Sequence, residues 1–368
     1  RLWVVEMRDY PNGPIEGDGY DGRIKILTDT DGDGLFDTSQ TFVTGLAFPT
    51  GLQPWRDGVI VTLAGKIEFM ADRDGDQVCD VRETWFQGFE LGNEQLRATH
   101  PPLGPDGVVS VHSNWDQSRS PVELRGKDFA FDPGGGFFGS VAGNSQFGLS
   151  IDDFGNRVGC SNRNPAFETL FTLDDLQRDR WSGPGDAMHD IAAPGPQSEV
   201  RAIAKAWTTS HTHAGQFSAA CGVTVGLGTA MPSDWKSHLV VCEPTSYAVQ
   251  IQTVKRDGTG RTSQRLDGEA ELLASRHTWF RPVDTAIGPD GALYVVDMCR
   301  AEIEHPDCAP KELQDREDER CGDKCGRIWR ITRSKQAPLR VPCPWPAPSV
   351  DTLVDWLFHP NPWQRATA

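Results

Sequence analysis

Two runs of alternating aspartates carry the clearest chemistry in this sequence. Asp29-Thr30-Asp31-Gly32-Asp33-Gly34-Leu35-Phe36-Asp37 sets carboxylates at positions 1, 3, 5 and 9 of a tight loop, with glycine at position 6. Leu35, at position 7, would add its backbone carbonyl. Oxygen ligands at this spacing suit a hard, seven-coordinate cation, so the loop is expected to hold Ca2+. A second copy follows, with Asp72, Asp74, Asp76 and Asp80 as side-chain ligands and Val78 at position 7. Here Gln77 replaces the position-6 glycine, which should strain the backbone, and Glu83 stands at position 12, where the first copy has Gln40. Both loops follow strand-like runs rather than helices, so they are expected in β-connections and not in EF-hands. Calcium there would be structural, because every ligand is spent. A metal-free Asp/Gly surface turn is the alternative.

A second group consists of polar residues placed just before strands. Gln95, Arg97 and His100 precede the strand that begins at Gly104, and Asn144 and Gln146 precede the next. His211 and His213 precede another, and Arg281 precedes the last. Histidine titrates near neutral pH and suits a general base for alcohol oxidation; His100 and His213 are the candidates. Arginine offers a planar fork for carboxylates, so Arg281 and Arg97, with Gln95, Asn144 and Gln146, are candidates for holding a cofactor. Each could instead be a loop residue satisfying backbone carbonyls. No G-x-S-x-G occurs, and no G-x-G-x-x-G follows a strand, so serine-hydrolase and dinucleotide readings have no motif behind them.

The elements that must position these residues show in a repeat. Leu2-Trp3-Val4-Val5-Glu6-Met7 matches Leu293-Tyr294-Val295-Val296-Asp297-Met298 almost position for position, and each leads to a glycine-led strand, Gly22 to Ile26 and Gly326 to Ile331. Looser copies recur between them, with short β-branched runs separated by turns such as Pro289-Asp290-Gly291. Such spacing predicts an all-β, six-bladed β-propeller over residues 1–335. A Pro-rich linker is expected at 336–348. Val350, Leu353, Val354, Trp356 and Leu357 then fall at helical spacing, which predicts the start of a HEAT-like helical repeat over 349–368. Leu170 to Trp181 could form a short helix.

Composition narrows the class. The 368 residues include 38 glycines, 26 prolines and 12 tryptophans, which suits a turn-rich folded β protein rather than a disordered chain. A formal charge of −16 disfavours nucleic acid and anionic membranes as partners. No apolar run approaches the roughly 20 residues of a membrane-spanning helix. The nine cysteines are an odd number, so at least one is expected to be free or paired outside the chain. Cys308, Cys321 and Cys325 crowd one loop; disulfides, as in exported proteins, are favoured over zinc there. The chain opens inside a strand without an initiator methionine, as a fragment of a longer protein would.

Five segments in order resemble a known family: TDTDGDGLFDTSQTFVTGLAFPTGL, NEQLRATHPPLGPDG, QFGLSIDDFGNR, ACGVTV and WFRPVDTAIGPDGALYVVDMCRAEIEHP. Over residues 1–335 the chain resembles the membrane-bound dehydrogenase domain of planctomycete and verrucomicrobial type. That family is similar to the soluble glucose/sorbosone dehydrogenases, six-bladed propellers that use pyrroloquinoline quinone (PQQ). The resemblance implies a periplasmic or cell-surface oxidoreductase acting on a sugar or other alcohol, with electrons passing to a cytochrome c domain. It also implies an arginine on the cofactor carboxylates, best matched by Arg281, and a histidine base near His100. The rival expectation is a non-catalytic, calcium-stabilised propeller that binds carbohydrate or protein.

Overall fold

The computed structural model describes residues 1–10, 13, 19–92, 94–112, 122–205, 213–266, 268, 270–303, 321–333 and 348–368. These residues are mostly β-strand, in six antiparallel sheets taken in chain order. The first sheet holds β1 (Leu2–Glu6), β2 (Gly22–Thr28) and β3 (Thr38–Leu46). The second holds β4 (Gly51–Trp55), β5 (Gly58–Leu63), β6 (Lys66–Ala71) and β7 (Val81–Gln87). The third holds β8 (Val109–Val111), β9 (Lys127–Phe131) and β10 (Phe138–Ala142), and the bridges Thr99↔His112 and Leu103↔Val109 extend it on the β8 side.

The fourth sheet holds β11 (Leu149–Ile151), β12 (Arg157–Ser161), β13 (Asn164–Thr169) and β14 (Met188–Asp190). In the fifth are β15 (Cys221–Val225), β16 (His238–Glu243), β17 (Ala248–Asp257) and β18 (Gly260–Arg265), with β19 (Leu273–Ala274) beside β17. The sixth holds β20 (Pro282–Ile287), β21 (Leu293–Asp297) and β22 (Arg327–Ile331).

Middle strands such as β5, β9 and β16 are buried on both faces. A sheet alternates its side chains between two faces, so such strands need cover on both sides. Neighbouring sheets supply it. Ile24 and Phe42 of the first sheet pack with Val59 and Met70 of the second. Ile60 and Phe69 pack with Phe129 and Phe131 of the third, and Val158 of the fourth packs with Leu239 and Val241 of the fifth. Val240 and Val249 pack with Leu293 and Val295 of the sixth. Each buried side chain of this size contributes about 1.5–3 kcal/mol relative to exposure.

The predicted turns form by one mechanism. Gly107, Gly155 and Gly291 have φ of 78°, 80° and 75°, and their amides donate to the carbonyls of Gly104, Asp152 and Gly288. Asp106 and Asp290 fix their turns by accepting from the amides of Val108 and Ala292, both at 3.1 Å.

The repeat between the ends of the chain is structural as well. Glu6 meets Arg23 and Lys25 at 3.4 and 2.8 Å, as Asp297 meets Arg327 and Trp329 at 2.9 and 3.1 Å. The sixth sheet returns to the first through Arg300, which donates to the carbonyls of Met7 and Tyr10.

The short helix expected near Leu170 is α1 (Leu173–Gln177), capped by Thr172 with a reciprocal bond to Asp175. Beyond the sheets lie α2 (Val350–Trp356) and α3 (Pro362–Thr367), joined by a Trp356–Trp363 ring contact. Asn361 and Gln364 tie them to the carbonyl of Pro289 in the turn after β20. The linker, apart from residue 348, lies outside the described residues, as do Cys308 and Cys343. The seven described cysteines are all free thiols, so the disulfides favoured from the sequence are not formed among them. Among the described residues no helix is long and apolar enough to cross a membrane.

Candidate functional site

Aligned on their Gly-Pro-Asp-Gly turns, residues 97–104 and 281–288 put Arg97 opposite Arg281 and His100 opposite Asp284. Gly51 opens β4, Gly148 immediately precedes β11 and Gly222 is the second residue of β15.

These five residues converge. His100 Nε2 lies 3.0 Å from Asp284 Oδ1, joining the third sheet to the sixth. A Cβ on Gly51 would lie 3.2 Å from the His100 amide nitrogen, and one on Gly222 only 2.4 Å from Asp284 Cα. One on Gly148 would lie 2.9 Å from the Gly222 nitrogen. Three glycines therefore let the backbones close in until two side chains fill the centre.

His100 is held hard. Its φ is 48°, a left-handed conformation costly for a residue with a Cβ, so the surrounding sheets impose it. Burial opposes its protonation, yet the charge and hydrogen bond of Asp284 prevail and its pKa is raised. The other ring nitrogen, Nδ1, is buried without a hydrogen-bond partner. Asp284 also accepts from the Thr285 amide at 2.8 Å, which fixes its carboxylate. An imidazole oriented by a carboxylate, with its side chain 18% exposed, can accept a proton from a hydroxyl brought against it.

Behind His100 are His112, just after β8, and Asp128 on β9, both buried, with His112 Nδ1 3.8 Å from Asp128 Oδ1. Burial, then the nearby His100, pushes His112 down to about 3. Burial likewise pushes Asp128 up to about 6, against Arg157 and the Ser145 hydrogen bonds.

The arginines have other partners. Arg281 is buried; its Nε, Nη1 and Nη2 donate to the carbonyls of Arg300, Pro244 and Ala301, and it lies 4.9 Å over the Tyr247 ring. Arg97 donates to the Leu91 carbonyl and Glu94, and lies 4.1 Å over Phe48. Gln146 donates to the Gln95 carbonyl, and the Gln95 side chain accepts from Asn162. Asn144 is exposed. Among the described residues no hydrogen bond or ion pair joins His213 to the His100–Asp284 pair, and His211 lies outside them. A quinone's carboxylates would therefore not find an open fork at Arg97 or Arg281.

The aspartate loops are congruent. Asp29, Asp31 and Asp37 bring ligand oxygens within 4.8 Å of one another, and so do Asp72, Asp74 and Asp80. Asp29 accepts from the amides of Gly32 and Gly34, as Asp72 does from Gly75 and Gln77. The strain expected at Gln77 is present, at φ 69° where Gly34 has 93°. Asp33 and Asp76 stand outside these groups and accept from the amides of Leu35 and Val78. Glu83 lies on β7, bonded to the Trp85 indole, rather than with the second group.

Residues 1–335 match the model of a family described as Domain of unknown function (DUF7133). The chain belongs to that family. No curated protein matches it. Similar solved structures include the PQQ domain of a pyranose dehydrogenase from Coprinopsis cinerea, at 14% identity and TM-score 0.45, over 74% of this chain and 84% of that one. A proposed oxidoreductase (glucose dehydrogenase) from a Thermus species matches at 14% and 0.48, over 89% and 99%. An auxiliary nutrient binding protein from Bacteroides thetaiotaomicron matches at 12% and 0.44, over 76% and 62%. Likeness at these values assigns this chain neither substrate nor cofactor.

Asp284, His112, Asp128 and the three glycines were not among the site residues expected from sequence. Aligning the Gly-Pro-Asp-Gly turns would have exposed Asp284 as the counterpart of His100. Nothing local marks His112 or Asp128, which come together only through sheet pairing.

Proposed function

We propose that this family member is a six-bladed propeller whose centre, at His100 and Asp284, takes a proton from the hydroxyl of a sugar or other alcohol during its oxidation. The carrying observation is the His100–Asp284 bond between the third and sixth sheets. Asp284 accepts from His100 Nε2–H, fixing the imidazole and stabilising its protonated form, which leaves Nδ1 as the nitrogen that receives the proton. The hydride acceptor expected from the family resemblance, PQQ, would need carboxylate partners other than Arg97 and Arg281, whose guanidiniums donate to main-chain carbonyls and Glu94. Export to the periplasm or cell surface, the membrane-bound dehydrogenase kinship and a cytochrome c electron acceptor belong to the same proposal. Dye reduction across a sugar and alcohol panel, with and without PQQ, tests it. Turnover that His100→Ala abolishes supports the reading; no turnover and no quinone binding sink it.

A second reading has its own observation. The congruent aspartate groups on the first two sheets offer matching oxygen cages for Ca2+, held by Asp29, Asp31 and Asp37 and by Asp72, Asp74 and Asp80, with the Leu35 and Val78 carbonyls. In that case the chain is a calcium-stabilised propeller that binds carbohydrate or protein without catalysis. Glycan binding without turnover would favour it.

A further inference from the structure

β21 and β22 leave their ladder on two cysteines. Val295↔Trp329, Val296↔Ile328 and Asp297↔Arg327 are opposed across the pair, and the same register carried two residues further sets Cys299 opposite Cys325. Side chains on this face do meet, since Arg327 Nε donates to Asp297 Oδ2 at 2.9 Å. Cys299 turns into the left-handed region, at φ 54°, once β21 has ended. Its thiol nevertheless stays within hydrogen-bonding reach of the Cys325 thiol.

Both arms are held by other contacts as well. The Cys299 amide donates to Asp297 Oδ1 at 2.9 Å, so one carboxylate ties the Cys299 backbone to Arg327, two residues beyond Cys325. The Ala301 amide donates to the Cys321 carbonyl, and the Cys325 amide to the Gly322 carbonyl. A Cβ on Gly322, at φ 94°, would stand 2.4 Å from the Cys299 carbonyl oxygen, so glycine lets this turn close onto Cys299. Cys299 is buried and Cys325 exposed, both as free thiols. Cys221 and Cys242 are opposed in the same way across β15 and β16, but both are buried. The pair at 299 and 325 therefore has the sulfur that an oxidant can reach.

We propose that Cys299 and Cys325 form a dithiol site that a low-molecular-weight disulfide oxidises to one intramolecular disulfide, closing the base of segment 299–325. The Cys325 thiolate attacks a sulfur of the oxidant and displaces one thiolate. The Cys299 sulfur then attacks that of Cys325 and displaces the second. The two cysteines give up two protons and two electrons, and the oxidant leaves as two thiols. Burial pushes the Cys299 thiol up, against the Arg327 charge, which leaves exposed Cys325 as the first attacker. Arg300, beside Cys299, donates to the Asp323 carbonyl and to those of Met7 and Tyr10, so the bond would pin the junction through which the sixth sheet returns to the first. Neither reading of function is assumed.

Trypsin cuts after Arg300, Lys311, Arg320 and Lys324 leave Cys299, Cys308, Cys321 and Cys325 on four separate peptides. The chain is treated with glutathione disulfide, remaining thiols are alkylated, and the digest is mapped without reduction. The peptide ending at Arg300 should be joined to residues 325–327 and be released by dithiothreitol. Reduction should lower the melting temperature of the oxidised chain by roughly 3–6 °C, a drop that Cys325→Ser removes and Cys321→Ser keeps. Complete alkylation of Cys299 and Cys325 after the oxidant would overturn the proposal. So would Cys325 joined to Cys308 or Cys321 instead, or thiols kept reduced by bound zinc in metal analysis.

Discussion

Arg97 stands three residues before His100 as Arg281 stands three before Asp284, and each guanidinium lies over an aromatic ring whose residue has positive φ: Phe48 at 44° and Tyr247 at 55°. The two arginines are one structural device used twice. Each closes the inner end of its sheet by donating to main-chain carbonyls of neighbouring loops. Arg281→Met should therefore cost about 3 kcal/mol in denaturant unfolding, because three buried carbonyls lose a charged donor. Arg281→Lys should not rescue it, since one ammonium cannot reproduce a planar fork. An unchanged unfolding midpoint would mean that Arg281 serves a ligand instead.

The His100–Asp284 pair makes stability and proton uptake depend on pH. The folded pKa of His100 lies above its ordinary 6.5. The stability this contributes is fully present below about pH 6.5 and is lost as pH rises through the folded value. Asp284→Asn should bring the imidazole titration down, as followed by NMR of the ring protons. Where turnover is measurable, its acid limb should move to lower pH by the same amount. An imidazole titration indifferent to Asp284→Asn would remove Asp284 from the role given to it.

Gly222→Ala should be among the costliest small substitutions in the chain. At φ 58° its Cβ would stand 2.4 Å from Asp284 Cα, which is backbone and cannot swing away. A loss of about 2–4 kcal/mol is expected from strain and overpacking together. Gly75→Ala, also at positive φ but with nothing within 4 Å, is the control and should lose about 1–2 kcal/mol from backbone strain alone. Similar losses in both variants would contradict the crowding at the centre.

For the aspartate loops, a chelator should lower the melting temperature, and Asp31→Ala should remove most of that effect. Gln77→Gly should raise stability by about 1 kcal/mol in the presence of Ca2+, by relieving a left-handed side-chain residue. Identical melting curves with and without chelator would leave the loops as plain Asp/Gly turns.

His112 gives a test of the buried pair behind the site. Its folded pKa, about 3, is depressed below the ordinary 6.5, so it contributes stability above pH 6.5 that is lost as pH falls towards 3. Asp128, raised to about 6, acts in the opposite sense, since the fold favours its protonated form as pH drops below that value. His112→Gln should make the protein more resistant to acid, and Asp128→Asn more sensitive, in midpoints of unfolding across pH 3–7. Parallel shifts in both variants would contradict these assignments.

Local rules made much of this protein legible. The sheets follow from apolar runs divided by Gly- and Asp-containing turns, such as those at Gly107, Gly155 and Gly291, because those turns are set by φ preferences and side-chain bonds within four residues. The aspartate loops were readable for the same reason: their geometry is short-range, down to the strain at Gln77. The Leu2–Met7 repeat likewise foretold that β1–β2 and β21–β22 are built alike, and in the structure each pair shares a carboxylate, Glu6 or Asp297. His100 was visible as a titratable residue before a strand, though its type and position could not say what it would face.

The centre was decided by tertiary structure. Asp284 reaches His100 only because sheets far apart in sequence close on one another, and glycines at 51, 148 and 222 permit that approach without contacting a ligand. Arg281 reads in sequence as an open fork, yet loops at 244, 300 and 301 occupy it, since a buried guanidinium takes whatever carbonyls the packing brings. Chain-local preferences thus determined the strands, turns and acid loops of this protein, whereas the partners of its buried charges were set by which backbones meet between sheets far apart in sequence, a contact no local spacing encodes.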